Sequence, residues 1–534
     1  MEEKKEVRKH PSALSPPILI LNIIVAVLGA IIGLELITRL GISTNTSIVG
    51  ALLAIIIARI PLKIFSQFKD INSQNLIQTA ISGATFSAAN ALILPIGIPY
   101  LMGRTDLVIP LLIGVSAALV TDATILYFSF DTAAFPAEGA WPPGIAAAET
   151  ILAAAEKGKK AMLLIYGIIG GVAGKIFGIP TDVFGVTWIG NFFALLAFGV
   201  GLVVRGYFPG WFGIDLNAMY LPHGVMIGAG LVALIQIIRI LIQKDQDESE
   251  ALDDNKPIKG FTRSISQMRR GMGRGYLVYL AIAIFIAIVS GIITDMSVPM
   301  LIFWCIFAAF AAIASELIVG ISAMHSGWFP AFATALIFLV LGMLFGFPPI
   351  ALAMLVGFTA STGPAFADMA YDLKAGWLLR GEGEDPEFEK KGRKEQYIAE
   401  LISFMVAIGV VFFAHEFYFE QDLFAPVNRV YVATIDAGAS FEVARNLLIW
   451  AIPGAIIQFA GGPNKQLGVL FATGLLINYP IAGVTVLVGL AIRFAVLKKY
   501  KEEGQSALYV LGAGFIAGAA VYSFFTSTLQ LGKK

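Results

Sequence analysis

The sequence predicts an all-α, polytopic helical membrane protein. Hydrophobic residues make up 57% of the 534-residue chain and charged residues only 14%, and the mean hydropathy is +0.80. The apolar residues run in at least a dozen blocks, such as Pro17–Thr38, Leu107–Phe128 and Met300–Val319. A helix needs about 20 mostly apolar residues to cross a membrane, whereas a soluble protein spaces its apolar residues at periods of two or 3.6.

The first block is expected to remain in the protein as a membrane span. It follows a charged N-terminal segment, is longer than the core of a signal peptide, and is not followed by a small-residue cleavage motif. Because cytoplasmic loops are rich in Lys and Arg, we place both termini and the polar loop 244–274 in the cytoplasm. Further basic clusters lie at 4–9, 59–69, 157–160, 380–394 and 498–501.

The polar loop also divides the chain almost at its midpoint. We interpret residues 1–243 and 275–534 as two similar membrane repeats joined by a cytoplasmic linker, residues 244–274. Residues 220–245 and 477–500 are alike: each has a Tyr and a Pro, then an apolar helix with an Arg near its charged end. The alternative is that helix ends converge on similar composition. We expect about 14–16 membrane segments, including re-entrant or broken helices.

Composition excludes several other classes of protein. A formal net charge of zero argues against nucleic acid as a partner, because phosphate binding needs a basic excess. The single cysteine, Cys305, rules out an internal disulfide or a Cys-based zinc site, and the four His residues are far apart in sequence. The nearest approach to a phosphate loop, GGVAGKIFG at 170–178, has Ile176 where Ser or Thr is required. We therefore predict no metal site, no cofactor and no enzymatic activity.

The segment 135–160 is the first of three polar interruptions that could carry function. Pro142 and Gly144 form a break before a short helix with Glu149 in its middle. Such a helix start presents backbone N–H groups and a positive dipole end, as in a re-entrant segment that lines a substrate cavity. Alternatively, the segment is a cytoplasmic amphipathic loop with a solvated Glu149.

The second interruption, residues 360–381, contains Asp368, Asp372, Lys374 and Trp377. The two aspartates are four residues apart and are expected on one helical face. Carboxylates within a membrane are costly, so by default they indicate an ion or substrate path. The alternative is that Lys374 simply neutralises one of them.

In the third interruption, residues 216–230, Pro222 and His223 are expected to interrupt an apolar helix that begins at Tyr220. His223 could handle protons, because His titrates near neutral pH, or could be structural.

A milder signal is the polar start of the span at 73–97, where Asn75 and Gln78 could bind peptide-like amides or hold helices together. Other ionisable residues in apolar blocks are interpreted mainly as helix-end residues: Asp122, Glu316, His325, Glu400 and Arg493.

Three segments resemble the oligopeptide transporter (OPT) family, which includes the yellow stripe-like metal-chelate transporters. DLKAGWLLRG (372–381) resembles its DLKTGYLLGA-type motif, and MYLP (219–222) matches an element of prokaryotic members. WPPGIAAAETILAA (141–154) resembles the FPEGxACAEVLKA-type segment, with Pro142, Gly144, Ala148 and Glu149 matching. The chain departs from these patterns at Pro143, His223, Ala375, Trp377 and Arg380.

The resemblance implies secondary active transport, with proton-coupled uptake of small peptides, peptide-like compounds or metal chelates through a multi-pass protein of the cytoplasmic membrane. Its partners are then the substrate, protons and the lipid bilayer; the oligomeric state, including a homo-oligomer, and the direction of transport are left open. The alternative function is a passive channel for small polar solutes. We assign proton coupling to Glu149, Asp372 and His223, in that order. The expected substrate contacts are Asn75, Gln78, Pro142, Gly144, Tyr220, Asp368, Lys374 and Trp377.

Overall fold

The computed structural model confirms the helical membrane class. It describes residues 9–40, 50–51, 54–55, 63–155, 159–242, 261–438, 441–477 and 479–530. Within these residues there is no strand, and nine helical segments are long and apolar enough to span a membrane. More than half of the predicted linker, residues 244–260, lies outside the described residues, as does most of a further apolar block of the sequence at 48–65.

The helices of the first half are α1 Pro16–Glu35, α2 Ile71–Phe86, α3 Leu94–Leu101, α4 Val108–Ser129, α5 Pro142–Ala155, α6 Lys159–Ile176, α7 Thr181–Ile189, α8 Phe192–Phe212 and α9 Leu221–Ile242. The second half contains α10 Ile265–Val289, α11 Val298–Ser326, α12 Ala331–Leu344, α13 Pro349–Ser361, α14 Pro364–Leu379, α15 Pro386–Glu420, α16 Pro426–Ala437, α17 Phe441–Lys465, α18 Leu467–Leu476 and α19 Pro480–Gln530. α17 and α19 each contain a kink, at Gly462 and Lys501.

Two broken segments lie at the centre of the protein, and their spanning windows are almost wholly covered by other helices. One is Ile71–Leu101, in which a π-helical stretch, Ser87–Ile93, separates α2 from α3. The other is Pro349–Leu379, where Thr362 and Gly363 separate α13 from α14. Non-helical backbone at membrane depth is tolerated only where protein or a water-filled cavity surrounds it. The predicted broken helix at 360–381 is thus confirmed.

The prediction that Pro222 and His223 interrupt a helix is wrong. α9 begins at Leu221 and continues to Ile242, so both residues lie in its first turn. Proline is favoured there because the N–H group that it lacks would have no partner within the helix. The break falls before the helix instead, at Tyr220, whose φ of +54° is in the left-handed region.

Three segments that the sequence places in the cytoplasm meet at one end of the protein. The backbone N–H of Ala13 donates to Glu395 (2.8 Å), and the His10 ring lies 5.6 Å from that of Phe388. The Arg393 guanidinium of α15 donates to the Thr262 hydroxyl, just before α10, at 2.9 Å. The N-terminal segment, the end of the central loop and the start of α15 therefore share one side.

Candidate functional site

Three buried carboxylates from two helices form a cluster, which we call the carboxylate cluster: Asp368 and Asp372 of α14 and Glu400 of α15. All three side chains are fully buried, and one oxygen from each lies within 4.8 Å of the other two. The two aspartates share one helical face, as their spacing predicts. The sequence identified Glu400 only as an ionisable residue in an apolar block, because no local pattern indicates that α15 packs beside α14.

Polar side chains of α2 hold the two aspartates. The Ser82 hydroxyl donates to Asp368 Oδ1 at 2.6 Å, and Gln78 Nε2 donates to Asp372 Oδ1 at 2.5 Å. Asn75 Nδ2 in turn donates to Gln78 Oε1 at 2.9 Å. Asn75 and Gln78 therefore lie at the carboxylate cluster and support Asp372.

Glu400 has a different environment from the aspartates. Within the described residues neither of its carboxylate oxygens has a hydrogen-bond partner, and the same is true of Asp368 Oδ2. Three ionised carboxylates in a dry interior would repel one another and lose their hydration. Chemically, the carboxylate cluster is therefore suited to hold protons or a hard cation, which also prefers oxygen ligands.

Lys374 does not neutralise the aspartates, so the alternative reading of this motif is wrong for this structure. Its ammonium group donates to the backbone oxygen of Ala137 at 2.8 Å and lies 4.3 Å from the centre of the Trp377 ring. Two residues along a helix correspond to a rotation of about 200°, so Lys374 points away from Asp372. Lys374 and Trp377 instead tie α14 to the segment that leads into α5.

A buried ion-pair network lies near the carboxylate cluster, at the end of the protein that contains the basic cluster 380–394. We define it as Arg380, Glu389, Arg393 and Asp131, all almost completely buried. Arg380 binds Glu389 through two N–H donors, at 2.6 and 3.0 Å, and Arg393 Nη2 lies 3.1 Å from Glu389 and 3.2 Å from Asp131. Arg393 precedes Glu400 on α15 by seven residues, a rise of about 10 Å.

Gln396 connects the ion-pair network to the carboxylate cluster. It accepts a hydrogen bond from Arg380 Nη1 at 2.7 Å and donates to the backbone oxygen of Asp372 at 2.6 Å. Gln396 therefore joins the ion-pair network to the backbone of Asp372, at the carboxylate cluster.

A separate cavity of about 1190 Å³ lies beside α8, α9 and α12. Its walls include Tyr220 and His223, together with Pro143, Arg205 and Trp328. Ligand pockets are concave and mostly apolar with a few polar groups, and they typically enclose some 300–1,000 Å³. This cavity is large enough for a small peptide or a chelate of similar size.

The Pro142–Gly144 turn lies between the cavity and α14. Pro143 lines the cavity, whereas the next residue, Gly144, packs so closely on α14 that an added Cβ would lie 2.4 Å from the Tyr371 backbone oxygen. Pro142 begins α5. The predicted break therefore falls one residue earlier than expected, at Trp141 with a φ of +35°, and Pro142–Gly144 form the first turn of α5.

Glu149 lies farther along α5 and is half-buried. Ala148 and Ile151 pack against Ala375 and Leu379 of α14. Because each residue turns an α-helix by about 100°, Glu149 is directed to the side of this contact. The structure thus brings Asp368, Asp372, Asn75 and Gln78 together and places Tyr220 and His223 at the cavity. Glu149 is not among the residues of the carboxylate cluster or the described cavity wall.

A family model described as OPT oligopeptide transporter protein matches residues 213–530, which is more than half of the chain. The chain belongs to the OPT oligopeptide transporter family. The matched region of this OPT member includes Tyr220, His223 and all three residues of the carboxylate cluster. No curated protein matches the chain.

OPT membership makes this a protein of a transporter family, embedded in a membrane through multiple helices. The sequence singled out the OPT-like motifs at 219–222 and 372–381 correctly. It gave little weight to Glu400 and none to Arg205, although each is a charged residue within an apolar block.

Proposed function

We propose that this OPT member is a proton-coupled secondary active transporter that takes up small peptides, peptide-like compounds or metal chelates across the cytoplasmic membrane. The carboxylate cluster carries the proposal, because three fully buried carboxylates have oxygens within 4.8 Å of one another and neither oxygen of Glu400 has a hydrogen-bond partner among the described residues. A buried like-charge group of this kind is most readily stabilised by binding protons.

Asp372 is the first candidate for proton transfer, and Asp368 and Glu400 share its proton. Asp372 already has one hydrogen bond from Gln78 to fix its orientation. Glu149 and His223 remain candidates for proton entry or exit, because each lies on a helix that borders the cavity or its neighbouring turn.

The substrate binds in the cavity, and the Pro142–Gly144 turn couples it to α14. Substrate against Pro143 displaces the start of α5, and Gly144 transmits that displacement to the backbone at Tyr371 and the side chain of Lys374. Asp372 is next to Tyr371, so the carboxylate cluster moves with it. Secondary transporters bind their substrate near the middle of the membrane, between two groups of helices, and expose it alternately to each side of the membrane.

Uptake against a concentration gradient tests the proposal. Purified protein is reconstituted in liposomes, and a radiolabelled tripeptide or ferric chelate is supplied with and without an inside-alkaline pH gradient. We expect accumulation above the external concentration only with the gradient. Equilibration that ignores the gradient would instead indicate a passive channel.

Glu149→Gln is measured in the same vesicles, since Glu149 is the residue that the sequence favours. If Glu149 carries the coupled proton, the variant equilibrates its substrate but no longer concentrates it. Unchanged concentrative uptake would remove Glu149 from the coupling mechanism and leave the carboxylate cluster.

A further inference from the structure

We propose that Arg205 forms a subsite in the cavity that binds a free carboxylate of the substrate. This inference rests on the proposed function and adds the chemical group by which the substrate is recognised. The carboxylate is either the C-terminus of a peptide or a carboxylate of a chelating ligand, and both present the same pair of oxygens.

Arg205 lies in the apolar helix α8 and lines the cavity. Its side chain is half-buried, and its Nε atom is buried without a hydrogen-bond partner in the described part of the chain. An arginine in a membrane-spanning helix is costly and normally faces a partner or a water-filled path. Arg205 faces the cavity, but no acidic side chain of the described residues forms an ion pair with it.

The other cations of the cavity wall are already paired. Lys175 Nζ lies 3.0 Å from Asp182 Oδ1, and Arg429 Nη2 lies 2.7 Å from Asp422 Oδ1. Asp182 is the one carboxylate residue among the described residues that line the cavity. Among the described residues of the cavity wall, Arg205 is therefore the Arg or Lys residue without an ion pair.

Asp215, ten residues after Arg205, is close enough to interact with it electrostatically but does not form an ion pair with it. It is exposed, and its Oδ1 accepts hydrogen bonds from the backbone N–H groups of Asn217 at 2.8 Å and Ala218 at 3.3 Å. No ion pair within 4.0 Å joins Asp215 to Arg205 among the residues that the structure describes.

Further hydrogen-bonding groups line the same cavity. Asn217, Tyr220 and His223 all contribute to its wall, and His223 Nδ1 is buried without a partner in the described structure. The planar guanidinium can bind both oxygens of a carboxylate at once, which a lysine cannot. The aromatic residues Trp328, Phe329 and Phe332 form an apolar wall for the rest of the substrate.

Binding of trialanine and of trialanine amide tests the subsite, because the two probes differ only in the free carboxylate. Thermal stabilisation and equilibrium dialysis are measured on wild type, Arg205→Gln and Arg205→Lys, with ferric citrate as a chelate probe. We expect wild type to bind trialanine at least about tenfold more tightly than the amide. Arg205→Gln should lose that preference, and Arg205→Lys should keep part of it.

Arg104→Gln is the matched control, since Arg104 is partly exposed like Arg205, pairs with Asp106 at 2.7 Å and lies outside the cavity wall. This variant should bind both peptides as wild type does. Equal binding of acid and amide by wild type would overturn the subsite while leaving peptide transport in place. Equal weakening of the binding of both peptides in Arg205→Gln would also overturn it, since a merely structural role affects both.

If wild type binds none of the probes, the subsite and the proposed substrate classes both fail. Loss of ferric citrate alone in Arg205→Gln would assign the carboxylate to a chelate.

Discussion

Gly83 of α2 makes room for the carboxylate of Glu400. A Cβ at this position would lie 2.7 Å from Glu400 Oε1 and 2.5 Å from the Ser403 hydroxyl. A Cβ atom does not approach another heavy atom this closely, so a side chain here must displace Glu400 or Ser403. The position of Glu400 is therefore set by the helix opposite, as well as by α15 itself.

We predict that Gly83→Ala lowers gradient-driven uptake about tenfold, because it moves Glu400 away from the aspartates. Gly409→Ala is the control: Gly409 lies on α15, the helix of Glu400, and an added Cβ there meets nothing within 4 Å. Both variants are compared in proteoliposomes after their thermal stability in detergent has been checked. Equal uptake by the two folded variants would contradict the role given to Glu400.

The single-residue signals in the sequence were accurate where they depended on local spacing. Asp368 and Asp372 could be placed on one face from a four-residue interval. Lys374 and Glu400 could not be assigned in this way. The ammonium of Lys374 is held by Ala137, more than 200 residues away, and Glu400 reaches the aspartates only because α15 packs beside α14.

At the scale of helices, the start of α14 depends on a carboxylate from α4. Asp122 Oδ2 accepts hydrogen bonds from the backbone N–H groups of Gly363 at 2.9 Å and Phe366 at 3.0 Å. The first N–H groups of a helix have no partner within the helix, and negative charge is favourable at this end. Gly363 has a φ of +102°, which disfavours other residues at this turn.

Asp122→Ala should therefore lower the midpoint of thermal unfolding, since it leaves two buried N–H groups unpaired at a cost of roughly 1–3 kcal/mol each. Asp122→Asn keeps a hydrogen-bond acceptor, so its midpoint of thermal unfolding should lie between those of Asp122→Ala and wild type. Asp106→Ala, at an exposed position near the same helix, should unfold close to wild type. Identical midpoints for Asp122→Ala and wild type would remove Asp122 as the group that stabilises the start of α14.

Helix breaks were partly predictable from Gly and Pro. The breaks before Pro142 and Pro364 were found because Pro and Gly cluster there with polar residues. The prediction that Pro222 interrupts a helix failed because proline is also favoured in the first turn of a helix. The sequence alone does not show whether a helix begins just before a proline. The two-repeat organisation with boundaries at 243 and 275 remains a prediction.

At the scale of the whole molecule, the ends of α10 define two sides of the membrane. α10 begins just after Thr262, beside Arg393, and its 25 residues rise about 37 Å. The turn that follows it, near Asp295, therefore lies on the side opposite the ion-pair network. The basic clusters predict that the ion-pair network faces the cytoplasm.

Labelling of introduced cysteines tests this orientation, and the single Cys305 is first replaced by Ala. A membrane-impermeant maleimide should label Asp295→Cys in intact cells. It should label Lys390→Cys, at an exposed position on α15, only in inverted vesicles. The reverse pattern would place both ends of the molecule opposite to the prediction.

The convergence of α2, α14 and α15 at the carboxylate cluster is a property of the whole fold. Residues 78, 372 and 400 come from distant parts of the chain, and no periodicity relates them. Sequence could supply the apolar spans, their polar interruptions and the OPT motifs. It could not show that the cavity and the carboxylate cluster are separate or that the Pro142–Gly144 turn lies between them.

Substrate-dependent proton movement tests the central claim most directly. Liposomes that contain a pH-sensitive dye report proton entry when a transported peptide is added outside, for wild type, Asp372→Asn and the exposed α15 control Glu416→Gln. Wild type and Glu416→Gln should acidify the lumen, whereas Asp372→Asn should not, although it still exchanges labelled for unlabelled peptide. Wild-type acidification by Asp372→Asn would contradict proton coupling through the carboxylate cluster.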